Sequence, residues 1–147
     1  MFFHFALILS VMVHISCQIF KFIFYSIRVR KISVKYLVSA GGMPSTHSAF
    51  TSTLTLTIGL FEGFTTPIFA VSAALTAIVV YDSLRLRGAV QIHSEILEKL
   101  SGSLSEKDKK RIPKMVGHTL PEIVVGILIA CIVSTTVYLC RASLGIG

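Results

Sequence analysis

Residues 121–140 read PEIVVGILIACIVSTTVYLC, twenty residues with no charge after Glu122. A helix needs about 20 mostly apolar residues to cross the hydrocarbon core of a bilayer. This run meets that length and marks the chain as built for lipid. Working outward, three more apolar stretches precede it. Residues 2–27 are interrupted only by His4, His14 and Lys21, residues 48–61 are rich in Thr and Leu, and residues 67–81 open on a proline suited to a first helical turn. The second and third are short for spans, so they are expected to extend into the flanking polar motifs, from Pro44 and to about Arg85. Residues 62–66 leave room only for a tight helical hairpin. The N-terminal stretch has no basic segment before it, and Cys17 follows His14, Ile15 and Ser16 rather than a small-residue lipobox, so it reads as a retained span and not a signal peptide.

Composition agrees. Of 147 residues, 53% are hydrophobic and 14% charged, about half the charged share of a soluble domain, and the mean hydropathy is +0.79. This excludes a disordered tail, a disulfide-stapled secreted module and an ordinary soluble enzyme. The net charge of +7 would point to nucleic acid in a soluble protein, but position matters more here. Arg28, Arg30, Lys31 and Lys35 follow the first span. Arg85, Arg87, Lys99, Lys107, Lys109, Lys110, Arg111 and Lys114 lie between the third and fourth. The positive-inside bias therefore puts both polar loops in the cytoplasm and both termini outside it. Arg28, Arg30, Lys31 and the cations from Lys107 to Lys114 read as topology signals, and no nucleic acid is expected. Between the third and fourth spans, Ala89, Ile92, Ile96 and Leu100 recur at helical spacing, which predicts a cytoplasmic amphipathic helix along the membrane surface or over the bundle mouth. Ser105 to Asp108 looks like a capping box opening a further short helix, with Gly102 before it and Pro113 ending it. The expected fold is all-α, a single membrane-embedded domain over 1–147 of about four transmembrane helices.

Three polar clusters stand at helix ends, all on the predicted cytoplasmic side. Gly41, Gly42, Met43, Pro44, Ser45, Thr46, His47 and Ser48 open the second helix, whose N-terminus offers N–H groups and a positive dipole end to an anion. Tyr81, Asp82, Ser83, Arg85 and Arg87 end the third, where the guanidinium forks suit phosphate oxygens. Gly117, His118, Thr119, Pro121 and Glu122 open the fourth; His118 and Glu122 are four apart, so on a helix they share a face, and a carboxylate holding one imidazole nitrogen leaves the other free to attack. Lys21 lies about one turn from the cytoplasmic end of the first span. Ordinary capping explains any one cluster, and an ion pair to Arg85 or Arg87 explains Asp82 near a membrane end. Capping does not require two histidines at two helix N-termini. His4, His14 and His93 have no evident cluster and read as structural or interfacial. Cys17, Cys131 and Cys140 lack metal-ligand spacing and read as small packing residues.

The strings GGMPSTHSAF, YDSLRLRGAV and GHTLPEIVVG, in this order, resemble the divergent branch of the type 2 phosphatidic acid phosphatase family, small bacterial and plant membrane proteins related to acid phosphatases and vanadium haloperoxidases. The resemblance covers nearly the whole chain. The main superfamily uses Lys-x6-Arg-Pro, Pro-Ser-Gly-His and Ser-Arg-x5-His-x3-Asp. Pro44, Ser45 and His47 match the second motif, with Thr46 in place of Gly. His118 and Glu122 match His-x3-Asp with a longer acid. Lys21 and Arg28 keep the spacing of the first, with Val29 for its Pro, though about 10 Å of helix separates them and Lys21 is the better placed. The Ser-Arg pair before His118 is replaced by Arg111 and Ile112, and Arg85 or Arg87 is the candidate to supply the lost guanidinium. Asp82 belongs to the divergent branch's own pattern.

The resemblance implies a lipid phosphatase of a bacterial inner or plastid-type membrane. His118 would be the nucleophile, Glu122 its orienting acid and His47 the general acid. Lys21, Arg85, Arg87, Ser45, Thr46 and Gly42 would hold phosphate, and Asp82, Pro44 and Gly41 would be accessory. No metal and no cofactor are implied. The substrate would be an isoprenoid or glycerolipid phosphate, and the partners membrane lipids and, because the mouth looks sparse for a monomer, a second copy in a homodimer. The alternative is a non-catalytic protein of the same fold that binds anionic headgroups or a membrane partner. A vanadate-dependent peroxidase is disfavoured, because a phosphate pocket already accounts for the residues.

Overall fold

The computed structural model describes residues 2–30, 32, 42–99 and 119–144, and all regular structure among them is helical. Five helices follow in order: α1 (Phe2–Val29), α2 (Thr46–Glu62), α3 (Pro67–Leu84), α4 (Leu86–Lys99) and α5 (Leu120–Ser143). Three of them are long and apolar enough to cross a membrane, over His4–Val29, Pro67–Leu84 and Leu120–Ser143. Their outward residues are apolar, among them Ile8, Ile15 and Ile23 on α1, Val71, Leu75 and Ile78 on α3, and Leu128, Ile132 and Leu139 on α5. In water such a surface would aggregate, and in lipid it is the surface required. The molecule is an integral membrane protein.

The shorter α2 is the hub, with α1, α3 and α5 packed around it. Its buried face is almost entirely small, with Thr46, Ser48, Ala49, Thr51, Ser52, Thr53, Thr55, Thr57 and Gly59 all inside. Small residues let backbones approach closely where no hydrophobic effect drives helices together. The hydroxyls then bond across helices. Thr55 Oγ1 and Thr76 Oγ1 share a bond of 2.8 Å, Thr76 Oγ1 donates to Thr51 O at 3.0 Å, and Thr57 Oγ1 and Ser134 Oγ lie 3.1 Å apart. In membrane proteins such bonds contribute on average about 0.6 kcal/mol each. The Thr-rich pattern of the second stretch is therefore the glue of the bundle. On α1 the buried residues Ala6, Ser10, Val13, Cys17 and Lys21 recur every three or four positions, which makes one seam facing α2.

The ends of α2 and α3 are capped as their sequences dictate. Ser45 is the N-cap of α2. Gly63 closes it with φ +104°, a conformation that only glycine adopts without strain, and its N–H donates to Gly59 O. Thr66 caps α3, accepting from Phe69 N–H and donating to Gly63 O, with Pro67 in the first turn. The tight hairpin predicted over 62–66 is present. α3 ends at Leu84, close to the expected limit. α4 starts at Leu86, three residues earlier than its apolar spacing indicated, and follows α3 after the single residue Arg85. Its Ile92 and Ile96 point outward and it packs on α3. The expected capping box at Ser105 to Asp108, with Gly102 and Pro113, lies outside the described residues.

Candidate functional site

The contacts between helices fix which ends meet. Phe5 packs on Phe61 and His14 on His47 and Phe50, so α1 and α2 are antiparallel. Ser45 N–H donates to Glu122 O at 3.0 Å, and Phe61 packs on Tyr138, so α2 and α5 run parallel. The hairpin makes α3 antiparallel to α2. The C-termini of α1 and α3 and the N-termini of α2 and α5 therefore share one end of the bundle, as the three polar clusters require.

At that end the loop before α2 is clamped from two sides. A Cβ on Gly42 would lie 2.6 Å from Tyr25 Oη, so the α1 tyrosine fills the space that any larger residue would need. On the other side, a Cβ on Gly126 would fall 2.6 Å from Ser45 O and 3.2 Å from Ala49 N. The glycine lets the backbone of α5 touch the first turn of α2. Between the clamps Ser45 Oγ accepts from Ser48 N–H at 3.3 Å and lies 2.9 Å from Ser48 Oγ. Ser45 is thus spent on capping through its hydroxyl and on docking through its N–H. Thr46, in the first turn, is fully buried, and its Oγ1 has no hydrogen-bond partner among the described residues. A buried hydroxyl in that state costs stability, which makes its retention notable at a helix N-terminus suited to anions.

Lys21 is 1% exposed. On α1 it sits between the two contact points His14 against His47 and Tyr25 against Gly42. A buried ammonium is expensive without compensation, and here it belongs to the same cluster as the α2 N-terminus. Arg28 is exposed, in keeping with the preference for Lys21. Glu122 Oε2 accepts from Thr119 N–H at 3.1 Å, half of a capping box at the start of α5. Arg85 is exposed at the C-cap of α3, Asp82 is half-buried one turn earlier, and Arg87 lies in α4. These three share the end of the bundle with Lys21. Gly41 and His118 lie outside the described residues; Thr119, the next residue after His118, is the N-cap of α5.

The structure corrects one assignment. His14 is not isolated: its ring centroid lies 6.2 Å from that of His47 and 6.0 Å from that of Phe50. The available signal was its seven-residue spacing from Lys21, two turns along one face. Tyr25, four residues beyond Lys21 on that face, was missed as well. Cys17 is buried in the core as expected, whereas Cys140 faces outward.

Fold and site thus define a small helical membrane protein with a buried lysine toward the end of the bundle where two helices begin. The chain belongs to the Divergent PAP2 family, whose sequence model matches residues 2–133. It is 28% identical over 137 residues to the uncharacterized membrane protein YuiD of Bacillus subtilis (strain 168), an alignment covering 84% of this chain and 87% of that one. No solved structure matches.

Proposed function

We propose that the protein hydrolyses a phosphomonoester or pyrophosphate on a lipid, an isoprenoid or glycerolipid phosphate, at the cytoplasmic face of the membrane. Lys21 is the observation that carries this reading. A fully buried lysine beside a helix N-terminus whose first-turn Thr46 hydroxyl is also buried, with no hydrogen-bond partner among the described residues, makes a natural seat for an anion. Family membership supports a phosphatase-related chemistry. In this reading a His118 ring nitrogen attacks phosphorus while the bond from phosphorus to the lipid oxygen breaks, and His47 gives its proton to the departing oxygen. Water then attacks the phosphohistidine, His47 takes its proton, and inorganic phosphate leaves with His118 restored. Lys21, the α2 N–H groups and Arg85 or Arg87 stabilise the charge on the phosphoryl oxygens. Glu122 orients His118, and the fixed positive groups take the part that Mg²⁺ plays elsewhere. The four helices around this end all span, and the Lys- and Arg-rich loops lie inside the cell.

The test is phosphate release from a panel of lipid phosphates and pyrophosphates by the purified protein, with chelator present throughout. Release that disappears in His118→Ala and in His47→Ala supports the reading. A folded wild type that releases nothing from any member sinks it.

One observation favours a second reading, a headgroup-binding protein without turnover. The third motif lacks its Ser-Arg pair, with Arg111 and Ile112 in those places, and Glu122 already serves a cap. Binding of anionic lipid would then depend on Lys21, Arg85 and Arg87, with basic loops adding about 1 kcal/mol per residue near the surface, and would survive loss of either histidine.

A further inference from the structure

α1 and α5 both rest on α2, and between them runs a groove of about 680 Å³. Its floor is Val13 and Cys17 of the buried core with Ile129 and Val133, which pack against that core. Its lining is apolar except for Ser16 and Cys17. From Leu9 to Phe24, its limits on α1, the helical rise gives about 22 Å, more than half of a hydrocarbon core of about 30 Å. The volume is enough for a polymethylene chain, about 4–5 Å across at carbon contact distances, laid along that length.

Its end is equally informative. Met43 and Pro44 line it there, immediately before the Ser45 cap, and Cys17 on its floor is one helical turn from buried Lys21. A phosphate held at Lys21 and the α2 N-terminus would have its first carbons at the mouth of the groove.

We propose that this groove receives the single hydrocarbon chain of the lipid whose phosphate sits at Lys21 and Thr46, and that it carries the chain past the bilayer midplane. The proposal rests on the lipid-phosphate reading for its headgroup but not on turnover. It makes the ligand a one-chain lipid phosphate of prenyl or long-alkyl type, the simplest occupant that joins the apolar lining to the buried Lys21.

The test uses the full chain in phosphatidylcholine vesicles with hexadecyl phosphate carrying a mid-chain diazirine. Irradiation is expected to place adducts on Met12, Phe20 and Ile129, competed by unlabelled hexadecyl phosphate and not by hexadecanol. Ser16→Trp, which fills the groove, should cut this labelling about tenfold. Val71→Trp, on the outward face of α3, should leave it unchanged. If Ser16→Trp does not fold, Val133→Phe serves the same purpose. Adducts as dense on Val71, Leu75 and Ile78 as in the groove, labelling that survives both filling variants, or cross-links joining two copies through the groove would each overturn the proposal. Competed groove labelling without any phosphate release would uphold it while removing the hydrolase reading.

Discussion

Replacing Gly126 by alanine tests whether the α2–α5 contact organises the site. The added Cβ would lie 2.6 Å from Ser45 O, with Ala49 N at 3.2 Å and Ser48 Cβ at 3.3 Å. The nearest atom is backbone, so no side chain can swing away. An ordinary carbon–oxygen contact begins near about 3.3 Å, so the two helices must part by about 0.7 Å. That displacement stretches the bond from Ser45 N–H to Glu122 O, now 3.0 Å, beyond hydrogen-bonding range. Overpacking costs about 1–3 kcal/mol and the lost bond about 1 kcal/mol. The helical preference of alanine over glycine returns somewhat less than about 1 kcal/mol. The net loss is about 1–3 kcal/mol, read as a fall in melting temperature of several degrees in matched detergent scans. Phosphate release should fall further, about 100-fold, because the α2 N-terminus is displaced from its partners. Gly59→Ala is the control. Its Cβ would meet only the ring of Phe64 at 2.5 Å, and that ring is 54% exposed and can turn aside. Gly126→Ala no less stable than Gly59→Ala would refute the reasoning.

Other substitutions separate stability from function. Lys21→Met keeps the volume and removes a buried charge, so phosphate release should drop at least about 100-fold; retained release would remove Lys21 from the site. Thr46→Val exchanges a buried hydroxyl with no partner among the described residues for a methyl and should stabilise by about 1 kcal/mol, with weaker inhibition by inorganic phosphate as its functional mark. Thr57→Val with Ser134→Ala in a double-mutant cycle should give a coupling of about 0.6 kcal/mol, and a coupling near zero would deny their bond a structural role.

The apolar framework was legible because lipid imposes length and composition directly. The stretches at 2–27, 67–81 and 121–140 became α1, α3 and α5 with small shifts at their ends. The hairpin and the convergence of three polar clusters at one end were legible too, since turn residues and connection lengths act locally. What escaped was whatever depends on rotation about a helix axis. His14 looked isolated because its partners, His47 and Phe50, are more than thirty positions away in sequence. Gly126 lay within a run read only for its length, and nothing local marks it as the point where α5 touches Ser45. The role of the threonines in α2 was hidden likewise, since their partners Thr76 and Ser134 stand on other helices.

The hydroxyl-lined face of α2 also constrains how the protein is made. Synthesis delivers α2 to the membrane early and α5 last. Thr57 therefore emerges well before Ser134, to which it bonds across 77 positions. Until then α1 and the hairpin mate α3 are at hand, α3 offering Thr76 to Thr51 and Thr55, while Thr57 lacks its partner across the bundle. The nascent chain thus passes through a stage in which its future centre is its most lipid-averse part. The arrival of α5 brings Ser134 to Thr57 and completes the bundle.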